Sequence, residues 1–207
     1  MLGIDTREIE EIVIAMLVIS FAILVAQIGF FGLFKYSIVE IAKQLGVLII
    51  AVGLGFILHE MAHKFVAQRY GAVAGFRMWP LGLFMCLVFA ILFGIVLAAP
   101  GAVYIYGERI TRKQNGLISL AGPLTNLVLA LIFLSLLPFA VAYSGPKSTL
   151  SEIALIGYSV NGLLALFNLL PVPPLDGSKI IAWNWMVWLG IGILVFVVYI
   201  GPLFLLA

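Results

Sequence analysis

The chain has 207 residues, of which 64% are hydrophobic and 10% charged, with a formal net charge of +2. That balance is too apolar for a water-soluble domain and too weakly basic for a nucleic-acid partner. The single cysteine, Cys86, excludes an internal disulfide.

Taken in chain order, the segments describe an all-α polytopic membrane protein with about six transmembrane helices, since a span needs roughly 20 apolar residues. The acidic start TREIEE lacks the basic head of a signal peptide, so the first run stays in the protein. That run extends from about Ile9 to Phe34, and the polar stretch Lys35 to Gln44 separates it from a second, Leu45 to Tyr70. The next segment, YGAVAGFRMWPLG, is too broken by glycine and proline to cross. It is expected to form a short membrane-embedded hairpin or re-entrant segment, and its alternation around Phe76, Met78 and Leu81 suits an edge strand. A third span covers Leu81 to Ala99, and Gly101 to Asn115, with Glu108 and Arg109, reads as a solvated connection.

The fourth span runs from about Gly116 to Tyr143 and the fifth from Glu152 to Leu170. The fifth stops at PVPPLDG, where prolines at 171, 173 and 174 forbid helix. The sixth begins near Ile180, with Trp183, Trp185 and Trp188 as interface anchors. Basic residues divide five to six between the two faces, which sets no orientation. Residues 1–207 read as one transmembrane domain, with a core at about 45–180 flanked by the first and last spans.

Chemistry concentrates in the second span. The only histidines are His59 and His63, four residues apart, hence about 40° apart around a helix, so both imidazoles can reach one ion. Glu60 completes His-Glu-x-x-His, the pattern of zinc peptidases, in which the glutamate is the general base. It projects about 100° away from His59, so it is not expected to be a ligand. Ionisable side chains inside a span are costly, which argues against a merely structural cluster.

Catalytic zinc takes three protein ligands and a water. Asp176 is the best third ligand, because it follows a proline-broken, apolar stretch, and irregular backbone at membrane depth must line a cavity or be buried. Cys86 is its competitor. Asn126, in AGPLTN, is a candidate for holding the substrate backbone, against the commoner role of interhelical hydrogen bonding. Asn168 is expected to cap the broken backbone before Pro171.

HEMAH, AGPLTN and NLLPVPPLDG together resemble the three signatures of site-2 proteases, over roughly Leu45 to Ile180. The resemblance implies one zinc ion per chain held by His59, His63 and Asp176, with Glu60 as the catalytic acid–base. It also implies hydrolysis of transmembrane protein substrates within the lipid bilayer, as in regulated intramembrane proteolysis. The protein would then sit in the plasma membrane with a cytosolic N-terminus. The connection between the third and fourth spans is too short for a peptide-binding domain such as PDZ. Two rival functions use the same residues differently: a metal transporter, and a homologue that has lost proteolysis.

Overall fold

The computed structural model describes residues 5–96, 101–106 and 110–205. Among them are seven α-helices, one short 3-10 turn and two strands. Helix α1 (Thr6–Ile28) ends at Gly29, whose φ of 75° is a left-handed turn that glycine adopts without a Cβ clash. After the 3-10 turn Phe30–Phe34 comes α2 (Ile38–Arg69), the helix of the histidine motif.

Helix α2 begins before the apolar run does. Ser37 accepts the Glu40 N–H through Oγ, and Glu40 Oε2 accepts the Ser37 N–H at 2.8 Å, a reciprocal box that starts the helix. Most of the stretch from Lys35 to Gln44 is therefore helical rather than a separator. Thr111 and Gln114 form the same box at the start of α4 (Arg112–Ser144). The last four residues of the expected connection Gly101–Asn115 are thereby drawn into helix.

The remainder of that connection holds a larger correction. Gly101–Tyr106 is a strand, β2, paired antiparallel with β1 (Val73–Met78). The segment after α2 is thus not a local hairpin, because its partner returns only after α3 (Pro80–Phe93). Phe76 stands opposite Val103, and Met78 opposite Gly101. Leu81, expected to continue the strand pattern, lies in α3. Glu108, Arg109 and the expected end of the third span at Ala99 and Pro100 fall outside the described residues.

Among the described residues, five helices are long and apolar enough to cross a membrane: α1, α2, α4, α5 (Thr149–Asn168) and α7 (Trp185–Leu205). The expected third span corresponds to α3, whose 14 residues reach only about 21 Å, short of a hydrocarbon core of about 30 Å. Helix α6 (Asp176–Trp183) is a short element set between α5 and α7. Large apolar side chains such as Phe84, Phe139 and Phe196 face outward, as a lipid solvent permits.

Helices α2 and α4 pack on one another, and both pack on α5. Helix α6 docks on α4, while α1 joins α2 to α3 and β1. Phe76 of β1 is fully buried and meets Phe56 of α2 edge-to-face, with ring centroids 5.7 Å apart. That contact seats the sheet against α2 one turn before His59.

Candidate metal centre

His59 and His63 occupy successive turns of one face of α2, and both are buried. Asp176 reaches them from the first residue of α6. The loop that delivers it is fixed by backbone contacts at both ends. Leu175 N–H bonds to the Val172 carbonyl, and the Ser178 hydroxyl donates to Leu175 O at 2.6 Å. A Cβ on Gly177 would lie 2.1 Å from the Leu169 carbonyl oxygen, so only glycine lets α6 start this close to the end of α5. The Trp188 indole N–H donates to that same carbonyl at 2.7 Å, satisfying a helix end that the prolines leave open. Asn168, expected to cap the break, bonds instead to Leu164 O within its own helix.

The three candidate ligands converge. His59 Nε2 and His63 Nε2 are 3.1 Å apart, and Asp176 Oδ2 lies 3.4 Å from the first and 3.1 Å from the second. The other carboxylate oxygen, Oδ1, faces Lys179 Nζ at 3.6 Å. No other group of three or more such ligand residues occurs among the described residues. Cys86 is buried in α3 beside Ala22, Val25 and Ala90, away from this cluster.

The hydrogen bonds behind the rings assign their protons. His63 Nδ1 is 2.7 Å from the Ile118 carbonyl, which can only accept, so Nδ1 donates. Asn126 Nδ2 donates to Gly55 O at 3.2 Å and to Asn161 Oδ1 at 2.9 Å. Its Oδ1 therefore accepts from His59 Nδ1, at 2.5 Å. With both rings neutral, each Nε2 carries a lone pair, and the two point at one another and at a carboxylate.

Three acceptors in such proximity call for a cation, and two imidazoles with a carboxylate suit zinc. The space for an ion is provided by an absent side chain. A Cβ on Gly122 would come within 2.5 Å of both Nε2 atoms, so the glycine of AGPLTN keeps the region in front of them open. The residues present fit a zinc ion.

Glu60 is buried, but its carboxylate is not one of the three converging atoms. Its carboxylate lies near the main chain of Val103 in β2. Of the residues singled out in the sequence, His59, His63 and Asp176 meet, Glu60 flanks them, Asn126 stands behind His59, Asn168 bonds within its own helix, and Cys86 is remote. Gly122 and Asn161 were not foreseen. Gly122 lies in the AGPLTN signature, but nothing in the sequence says that its missing side chain faces His59 and His63, and Asn161 gains its meaning only from the packing of α5 on α2 and α4.

Comparison with known proteins agrees with this geometry. Residues 47–152 match the model of peptidase family M50, a stretch that includes His59, Glu60, His63 and Asn126. The chain is 41% identical over 187 residues to "Putative zinc metalloprotease MJ0611" of Methanocaldococcus jannaschii, covering 90% of each chain. It is 33% identical over 150 residues to "Putative zinc metalloprotease YwhC" of Bacillus subtilis, covering 65% of this chain and 67% of that one. "Putative zinc metalloprotease Rip2" of Mycolicibacterium smegmatis shares 34% over 154 residues, 65% of this chain and 57% of its own. No solved structure matches the chain. With a family model matching residues 47–152 and a relative 41% identical over 90% of both chains, the chain belongs to peptidase family M50, the site-2 protease family.

Proposed function

We propose that the protein is an intramembrane zinc metalloprotease that hydrolyses peptide bonds within transmembrane segments of other proteins, using one zinc ion per chain. The observation that carries this reading is the convergence of His59 Nε2, His63 Nε2 and Asp176 Oδ2 with the Glu60 carboxylate beside them but outside the set. His59, His63 and Asp176 are the residues that would hold the ion. Zinc, when bound, supplies a Lewis acid for the scissile carbonyl and makes water acidic enough to act near neutral pH.

The protein's own groups do the rest. Glu60 takes a proton from the attacking water and passes it to the departing amine. Asn126 and the Ile118 carbonyl hold the two imidazoles so that each presents Nε2. Asn126, with its amide already engaged by three protein groups, acts through His59 rather than by holding substrate.

A substrate helix hides its peptide bonds and must unwind to be cut. Each backbone group left bare in hydrocarbon costs several kcal/mol, so the unwound segment needs new partners. The β1–β2 sheet beside Glu60 offers them by strand addition. The family resemblance supports a plasma-membrane location with the N-terminus in the cytosol.

The test is cleavage in proteoliposomes of a co-reconstituted single-span protein, before and after chelation and after zinc is restored. Loss and recovery of cleavage support the reading. Zinc passage across the vesicle wall without any cleavage overturns it in favour of a transporter.

A further inference from the structure

The two edges of the small sheet are not equivalent. On β1, the N–H of Phe76 donates to Glu8 Oε1 and the N–H of Met78 to Glu11 Oε2, both at 2.9 Å. The carbonyl between them on that edge, Phe76 O, accepts from the Arg77 guanidinium at 3.1 Å. Glu8 and Glu11 stand three residues apart on α1, about 4.5 Å along its axis, and their side chains reach same-side groups about 6.6 Å apart on the strand. Each carboxylate is itself held: Glu8 pairs with Lys64, a fully buried cation on α2, and Glu11 with Arg7 at 2.7 Å. From Phe76 to Met78, this edge is closed by side chains.

The alternation of an antiparallel ladder fixes what the other edge presents. Since Phe76 and Met78 point toward α1, Gly75 and Arg77 bond to β2, through their partners Tyr104 and Ala102. Val103 and Ile105 therefore direct their N–H and C=O groups away from β1. That outward side is the side of Glu60, whose carboxylate lies near the Val103 main chain.

We propose that Glu8 and Glu11 are positioning residues that close the β1 edge, so that a substrate strand joins the sheet only along β2, beside Glu60. The proposal rests on the strand-addition reading above and adds to it a direction. Without the cap, an unwound substrate has two edges to choose from. Along β1 it would be held a full sheet width away from the candidate metal centre, bound but uncut.

The test uses cysteine capture in the full chain in proteoliposomes, with a single-span protein that the wild type cleaves, carrying one cysteine near its cleaved bond. The captor carries Glu60→Gln to prevent turnover and either Gly75→Cys or Tyr104→Cys, which stand opposite each other in the register. Side chains on adjacent strands are about 5 Å apart, within disulfide reach, whereas the next strand over is not. The expected result is capture by Tyr104→Cys and none by Gly75→Cys. Adding Glu8→Ala and Glu11→Ala should open capture at Gly75→Cys and reduce capture at Tyr104→Cys about twofold, as two competing edges share the strand. Glu8→Gln with Glu11→Gln keeps an accepting oxygen at each position and should preserve the original pattern, with zinc content reporting the fold.

Capture at Gly75→Cys while both glutamates are present overturns the proposal but leaves strand addition standing. Unaltered capture in the alanine variant, with zinc retained, also overturns it. Capture by neither cysteine overturns strand addition and the cap together. Should the alanine variant fail to hold zinc, the comparison of the two cysteines with the glutamates in place decides the matter.

Discussion

His59 on α2 and Asn126 on α4 meet at 2.5 Å, ring Nδ1 to side-chain oxygen, and this contact decides which nitrogen of His59 is left for a metal. Asn126 cannot turn its amide round, because its Nδ2 is held by Gly55 O and by Asn161 Oδ1. Asn161 is held in turn by its bond to Gly157 O at 2.8 Å. A buried chain of amides thus runs from α5 through α4 to the imidazole.

Removing that support should weaken the metal site without emptying the fold. Asn126→Ala is expected to lower zinc affinity by roughly 10–100-fold, the usual cost of losing a partner that orients a ligating histidine. Asn126→Asp keeps an acceptor facing Nδ1 and should recover part of the loss. Competition with a zinc chelator of known affinity measures both. Equal affinity in wild type and Asn126→Ala would contradict the assignment.

Gly122 gives a sharper prediction. Its Cβ would occupy the space in front of both Nε2 atoms, so Gly122→Ala should leave the protein with well under one zinc per chain. The site has no spare room, and overpacking of this kind costs about 1–3 kcal/mol where the surroundings yield. Metal analysis of the purified variant, beside helix content by circular dichroism, separates loss of the site from loss of the fold.

Gly177→Ala acts from the other side. A methyl group 2.1 Å from the Leu169 oxygen must push α6 away from α5, and Asp176 moves with it. The expected outcome is a destabilisation of about 1–3 kcal/mol in detergent unfolding, together with weaker zinc binding. Loss of stability with unchanged zinc affinity would show that the start of α6 does not set the carboxylate.

How much of this was legible in the sequence differs from feature to feature. His-Glu-x-x-His reads itself, because the helical period places two histidines on one face and the glutamate off it. Asp176 was legible through proline chemistry: Pro171, Pro173 and Pro174 end the helix and leave a carboxylate where lipid would not tolerate one unpartnered. The starts of α2 and α4 were written in Ser37–Glu40 and Thr111–Gln114, but the apolar runs drew attention away from these boxes.

The pairing of β1 with β2 was not legible in the same way. GAVYIY alternates no more clearly than a loop rich in tyrosine would, and its partner lies beyond an intervening helix. Register across such a gap is set by tertiary contacts: Phe76 on Phe56, and the N–H groups of β1 on Glu8 and Glu11. In the sequence those residues read only as an acidic start to the first span. Only packing of α1 against the strand turns them into hydrogen-bond acceptors.

The most direct test of the proposed chemistry compares wild type with Glu60→Gln for zinc content and for cleavage of a membrane-embedded protein. The exchange keeps the side chain's size and leaves His59, His63 and Asp176 in place while removing the group proposed to move the proton. The account predicts one zinc per chain in both proteins and cleavage by the wild type alone. Cleavage by Glu60→Gln at the wild-type rate, with zinc bound, would contradict it.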